Sequence, residues 1–159
     1  MSTVTESPDD PCAALQAAWR GIPLAAAMGI EAAAFDGETL HVRAPLAANI
    51  NVHGTAFAGS LFSVCVLAAW GRLWLALHRQ GVTARIVVTD SRIDYRRPVT
   101  GYIECRSRLE PADERALLDE LLAAGRATLP LDAVVPSERG PAVQFTGTYA
   151  LRLKPRAER

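Results

Sequence analysis

The chain has 159 residues, with 17 basic and 17 acidic side chains, and half of it is hydrophobic. This is length for one domain with a real core, and the composition is globular rather than disordered. A formal net charge of zero offers no support for a nucleic-acid binder, and Cys12, Cys65 and Cys105 form neither a CxxC nor a ligand set with His41, His53 or His78, which argues against a disulfide framework or a zinc site.

In chain order, residues 1–10 read as a disordered tail without the basic and apolar regions of a secretory signal. Residues 11–155 are expected to form one domain in a reducing cytoplasm. Asp10-Pro11 is a cap followed by proline at the first helical position, predicting a short helix to about Arg20. Met28–Phe35 and Thr39–Ala44 read as two strands of a hairpin around the turn Asp36-Gly37. An irregular loop, Pro45–Ala56, precedes a long apolar helix from about Ala58 to Arg79, with Gly81 as its stop. That helix is long enough to span a bilayer, but its flanks are a polar turn and a strand, so it is expected to be a buried central helix with Arg72 near its exposed end.

Ala84–Arg96 and Tyr102–Leu109 read as strands; in the second, Ile103, Cys105, Ser107 and Leu109 share the apolar face. Asp113–Ala124 reads as an amphipathic helix with Leu117, Leu118, Leu121 and Leu122 on one side and Gly125 as its stop. Two strands follow, near Arg126–Val135 and Ala142–Leu153. The simplest way to bury the long helix is an α+β architecture in which one antiparallel sheet wraps around it. Its exposed edges would pair in a homodimer or a dimer of dimers.

The stretch before the long helix runs Asn51-Val52-His53-Gly54-Thr55-Ala56-Phe57-Ala58-Gly59-Ser60. A helix start presents unpaired N–H groups and a positive dipole end, and small residues there allow a ligand to approach the backbone. A carbonyl at that point would be polarised. Spacing alone is satisfied equally by a glycine turn and a serine cap.

The stretch HGTAFAGSLFS, the strand IVVTDSRIDYRRPV and the approach APLAANIN resemble hotdog-fold thioesterase-superfamily proteins. The nearest resemblance is to the thioesterase-like domain at the C-terminus of YiiD-type acetyltransferase fusions, which also occurs alone in MadB-type malonyl-ACP decarboxylases. It covers roughly Ile22 to Leu153. It implies acyl thioesters of CoA or acyl carrier protein as substrates, no cofactor beyond the phosphopantetheine the substrate carries, and a site between protomers. It also implies that the Gly59 N–H polarises the thioester carbonyl, that Asn51 hydrogen-bonds the thioester or its acyl carboxylate, and that Thr55 and Ser60 orient Asn51 or the ligand. Phe57 and His53 are expected to line the substrate. Related phenylacetate-type thioesterases carry an aspartate on the long helix where Val66 stands here, and no acidic residue occurs between Arg43 and Arg72.

Hydrolysis requires a base or a nucleophile, whereas decarboxylation of a malonyl thioester requires only stabilisation of the enolate left when CO2 departs. This places decarboxylation ahead of hydrolysis, with a non-catalytic acyl-thioester binder as the third reading. Asp90, reading on one strand face with Ile86 and Val88, is the rival base; an ion pair with Arg92 explains it equally. His53 is a candidate proton donor. Arg96, together with Arg92, Arg97, Arg106 and Arg108, forms a candidate site for CoA or phosphopantetheine phosphates, or for an acidic carrier-protein surface. Cys65 and Cys105 read as small buried hydrophobes.

Overall fold

The computed structural model describes residues 10–155, so the expected tail lies, except for Asp10, outside the described residues. Helix α1 (Pro11–Trp19) is capped as expected: the Asp10 carboxylate accepts the Cys12 N–H at 2.9 Å. A second short helix, α2 (Pro23–Ala27), replaces the chain expected to lead directly into a strand from Met28. Its proline sits in the first turn, where no N–H is missed. The hairpin β1 (Glu31–Phe35) and β2 (Thr39–Ala44) follows, then α3 (Ala58–Arg79), β3 (Ala84–Tyr95), β4 (Ile103–Arg108), α4 (Pro111–Ala124), β5 (Arg126–Val135) and β6 (Val143–Leu153).

The strands form one sheet in the order β1-β2-β4-β5-β6-β3, with antiparallel neighbours throughout. It wraps α3, as expected of a hotdog domain. Alternation fixes its faces: in β4, Ile103, Cys105 and Ser107 are buried, while Glu104, Arg106 and Arg108 are exposed. In β6, Val143, Phe145, Tyr149 and Leu151 face α3. Two polar links tie the helix to the sheet: the Tyr149 hydroxyl donates to the Val66 carbonyl at 2.9 Å, and the Trp70 indole N–H donates to the Ile86 carbonyl at 3.0 Å. Cys65 and Cys105 are both buried, and the Cys105 thiol donates to Cys65 across 3.8 Å, as small core residues facing each other. That hydrogen bond, and then burial, push the Cys105 thiol well above its ordinary pKa.

The two sheet edges are treated differently. At β1 the Gln16 side chain of α1 acts as a short strand: its amide donates to the Ile30 carbonyl at 3.0 Å and its carbonyl accepts the Ala32 N–H at 2.9 Å. At β3 no described element pairs with the outer edge, and Val87 and Val88 are 45% and 38% exposed.

Two expectations are corrected. In α4, Leu117 and Leu121 are buried but Leu122 is exposed, because only the stripe at helical spacing reaches the sheet. Arg72 is not near an exposed end of α3; it is fully buried. Its Nε donates to the Glu38 carbonyl at 2.5 Å, one terminal nitrogen donates to the Leu109 carbonyl at 3.2 Å, and that same nitrogen pairs with the Glu114 carboxylate of α4. The second Glu114 oxygen takes Arg79 at 2.7 Å. The Phe35 ring lies 5.3 Å from the Arg72 guanidinium and 5.2 Å from that of Arg79, close enough for a cation–π contribution from each. A charge is tolerated there because a carboxylate and two carbonyls replace its water. Burial pulls the Arg72 guanidinium below its ordinary pKa, against the hydrogen bond and charge of Glu114.

Glu114→Ala leaves that buried guanidinium uncompensated and is expected to cost about 3–5 kcal/mol in urea unfolding. Adding Arg72→Leu to the same variant should recover part of the loss, and a change below about 1 kcal/mol in Glu114→Ala would contradict the role given to the pair.

Candidate active site

The loop from Pro45 to Phe57 delivers the chain to the start of α3, and asparagines build it. The Asn49 side chain is buried and donates to the Met28 and Pro45 carbonyls, each at 2.8 Å, while its backbone carbonyl accepts the Phe57 N–H at 2.7 Å. Asn49 thus joins the end of α2, the loop and the N-cap of α3. Nothing in the spacing of Asn49 along the chain distinguishes it from a surface loop asparagine.

Asn51 organises the tip. Its side-chain carbonyl accepts the N–H groups of His53 at 2.8 Å and Thr55 at 3.1 Å; its amide donates to Thr55 Oγ1 at 2.8 Å and to the Ala56 carbonyl at 3.3 Å. This is an asparagine turn carrying a second pair of bonds, and Gly54, at φ 82°, supplies the left-handed residue the turn requires. Thr55 thus meets Asn51 through both its backbone and its hydroxyl. Every bonding group of the Asn51 side chain is engaged inside the loop, so a direct bond to a ligand would replace one of these. His53 is exposed at the tip.

Helix α3 begins at Ala58 with Phe57 as N-cap and no side-chain cap. The Leu61 N–H is the first to close a helical bond, to the Phe57 carbonyl at 3.0 Å. Among the described residues no acceptor takes the amides of Ala58, Gly59 or Ser60, the expected state of a helix start. Ser60 is buried in the third helical position rather than capping. The Phe57 ring, half-exposed, lies against Gly59: a Cβ at Gly59 would stand 2.5 Å from ring atom Cε1. Glycine there lets an aromatic ring approach the free amides closely.

The end of β3 completes the wall, because the Tyr95 hydroxyl donates to the Ala58 carbonyl at 3.1 Å, and burial raises its pKa. Neither Tyr95 nor its contact was singled out from sequence, which gives no measure of where a strand end meets a helix start. Beyond the first turn, Phe62, Ser63, Val66 and Leu67 of α3 and Ile22, Leu24, Ala25 and Met28 line an open apolar cavity of ≈ 180 Å³. Val66 stands in that wall.

Asp90 does not lie with Ile86 and Val88. A bulge between Val88 and Asp90 shifts the register by one residue, so Asp90 pairs with Thr148 on the outer face, while Ser91, opposite Gly147, takes the inner one. Asp90 is exposed, and its carboxylate accepts the Ser91 N–H at 2.9 Å instead of pairing with Arg92. The expected arginine patch is also divided. β3 and β4 follow each other in sequence, but β5 and β6 lie between them in the sheet. Arg92 and Arg96 approach Asp94 at 3.5 and 3.8 Å, whereas Arg108 pairs with Glu38 at 2.8 Å and Glu110 at 3.2 Å. Of this group, Arg92, Arg96 and Arg97 lie toward the Tyr95 end of the sheet.

The family described as "Putative thioesterase (yiiD_Cterm)" matches residues 12–153. A protein of unknown function from Chlorobaculum tepidum TLS is 29% identical, with a TM-score of 0.88 over 96% of this chain and 100% of that one. A protein from Shewanella oneidensis described as a "putative thioesterase" is 32% identical, with a TM-score of 0.81 over 92% of this chain and 99% of that one. A Pseudomonas aeruginosa protein of unknown function, 24% identical, has the same fold at a TM-score of 0.76, over 89% of this chain and 95% of that one. The chain belongs to the YiiD C-terminal family of thioesterase-like proteins and has the hotdog fold.

Proposed function

We propose that this chain acts on acyl thioesters of carrier protein or CoA, and that its reaction is the decarboxylation of a malonyl thioester. The observation that carries this reading is the start of α3, where among the described residues the amides of Ala58, Gly59 and Ser60 have no acceptor and the half-exposed Phe57 ring lies against Gly59. A thioester oxygen bound there is polarised by N–H groups and a helix dipole. The bond between the α-carbon and the carboxylate breaks, CO2 leaves, and its electron pair becomes an enolate whose negative oxygen faces the amides. A proton from water or from exposed His53 then returns to the α-carbon and gives the acetyl thioester. Asn51 is a positioning residue that fixes the loop through Thr55 and Ala56. Phe57 lines the substrate, and Arg96 lies toward the entrance for the substrate's phosphate.

Hydrolysis is the second reading, favoured by the family's description. It needs a base, yet Val66 occupies the helix position and Asp90 faces outward in this chain. Dimerisation is part of the proposal. The unpaired β3 edge, with half-exposed Val87 and Val88, is suited to pairing with its own copy, and the site would then lie near the partner. The reading places the enzyme in the cytoplasm. Among the described residues, the one helix long and apolar enough to cross a membrane, Ala58–Arg79, is the core helix inside the sheet.

Intact-mass analysis of malonyl-ACP incubated with the protein is expected to show acetyl-ACP. Free holo-ACP would establish hydrolysis instead, and unchanged malonyl-ACP would remove this substrate. Asn51→Ala is expected to lower kcat about a hundredfold through a misplaced loop while KM changes little; undiminished turnover would remove Asn51 from the site. Val88→Lys should leave a monomer in light scattering if β3 is the dimer edge, and an unchanged dimer would exclude that edge.

A further inference from the structure

Three arginines stand in file across the outer face of the sheet. Arg126 of β5 is directly opposite Arg152 of β6, which is directly opposite Arg85 of β3. All three are exposed, and none forms an ion pair among the described residues. Like charges directly opposite on neighbouring strands destabilise a sheet. Two exposed arginines of other strands do have acidic partners: Arg43 pairs with Glu31, and Arg108 with Glu38 and Glu110. The file of three has no such partner, although Glu120 of α4 lines the same depression.

The arginines border a concave depression of ≈ 420 Å³, whose floor continues into Val87 and Ala150. Those two lie two residues further along β3 and β6, on the same face, and are themselves opposite each other. Neighbouring strands lie about 4.8 Å apart, so the outer two arginines are separated by about 10 Å at the backbone. Guanidinium groups at that spacing can bind adjacent phosphates bidentately, and the apolar row beside them accommodates an organic moiety.

We infer that Arg85, Arg152 and Arg126 form a binding site for a small organic molecule carrying at least two phosphate groups. The file lies about 33 Å from Tyr95 along β3, at ~3.3 Å per residue, so within one chain it is separate from the thioester site. The inference does not depend on which reaction occurs there.

The test is calorimetric titration of the full chain with inorganic pyrophosphate and with ADP, at constant ionic strength. Saturable binding of both is expected, at one site per chain. Arg152→Gln, at the centre of the file, should weaken both at least tenfold, while Arg139→Gln, exposed between β5 and β6 and outside the depression, should leave both unchanged. Arg152→Gln should also melt at the same or a higher temperature in the absence of ligand, because a like-charge contact is relieved; a purely structural arginine would lower it. Absence of saturable binding, binding of ADP without pyrophosphate, equal weakening by the two variants, or unaltered affinity in Arg152→Gln would each overturn the assignment.

Discussion

A 22-residue helix whose only ionised side chains are two arginines cannot remain in water without a large apolar cost, and the rest of the molecule is arranged to remove that cost. The sheet curls around α3, α1 covers one flank, and α4, packed on β5 and β6, reaches the C-terminal half of α3 through Glu114. The single awkward group, Arg72, is neutralised by Glu114 from α4 and by carbonyls at Glu38 and Leu109. One ion pair therefore joins the central helix, the β1–β2 turn, the end of β4 and the covering helix. The C-terminal half of α3 is closed by this network, which leaves the N-terminal end as the place where helix backbone meets ligand.

That end is held by polar contacts of a different kind. The loop before α3 is shaped by asparagine amides bonding to backbone, so its geometry depends on few residues and little buried area. Asn49 sets where the helix starts, and Asn51 sets the turn above it. The resulting division is a packed, charge-locked half for stability and a hydrogen-bonded half for chemistry. Free amides at the start of a helix gain in electrostatic strength where water is displaced, and the exposed Phe57 ring above Gly59 is placed to contribute to that displacement.

Much of the fold was legible because periodicity records burial. The 22-residue apolar run gave α3 its observed limits, and the alternation in β4 assigned its faces residue by residue. Errors arose where one residue breaks a period or where distant segments meet. The bulge at β3 turns Asp90 outward, although strict alternation would place it beside Ile86 and Val88. Arg72 looked like an end-of-helix charge because its partner, Glu114, lies on another helix. The arginines of β3 and β4 looked like one patch because adjacency in sequence was taken for adjacency in the sheet. In the candidate site, the motif drew attention to Asn51, Thr55 and Gly59. Asn49 and Tyr95 carried no signal, since their roles rest on contacts to Met28 and Ala58 that no local pattern encodes.

The central claim is that the amides at the start of α3 polarise a thioester carbonyl. The direct measurement is the infrared stretch of a ¹³C-labelled thioester carbonyl bound to the protein, in a substrate that cannot lose CO2, such as an acetyl thioester. The account predicts a shift to lower frequency than in water, and a smaller shift in Ala58→Pro, which removes one of the three N–H groups at the first helical position, where proline keeps the helix start. An unshifted carbonyl, or the same shift in Ala58→Pro, would mean that the thioester is bound elsewhere.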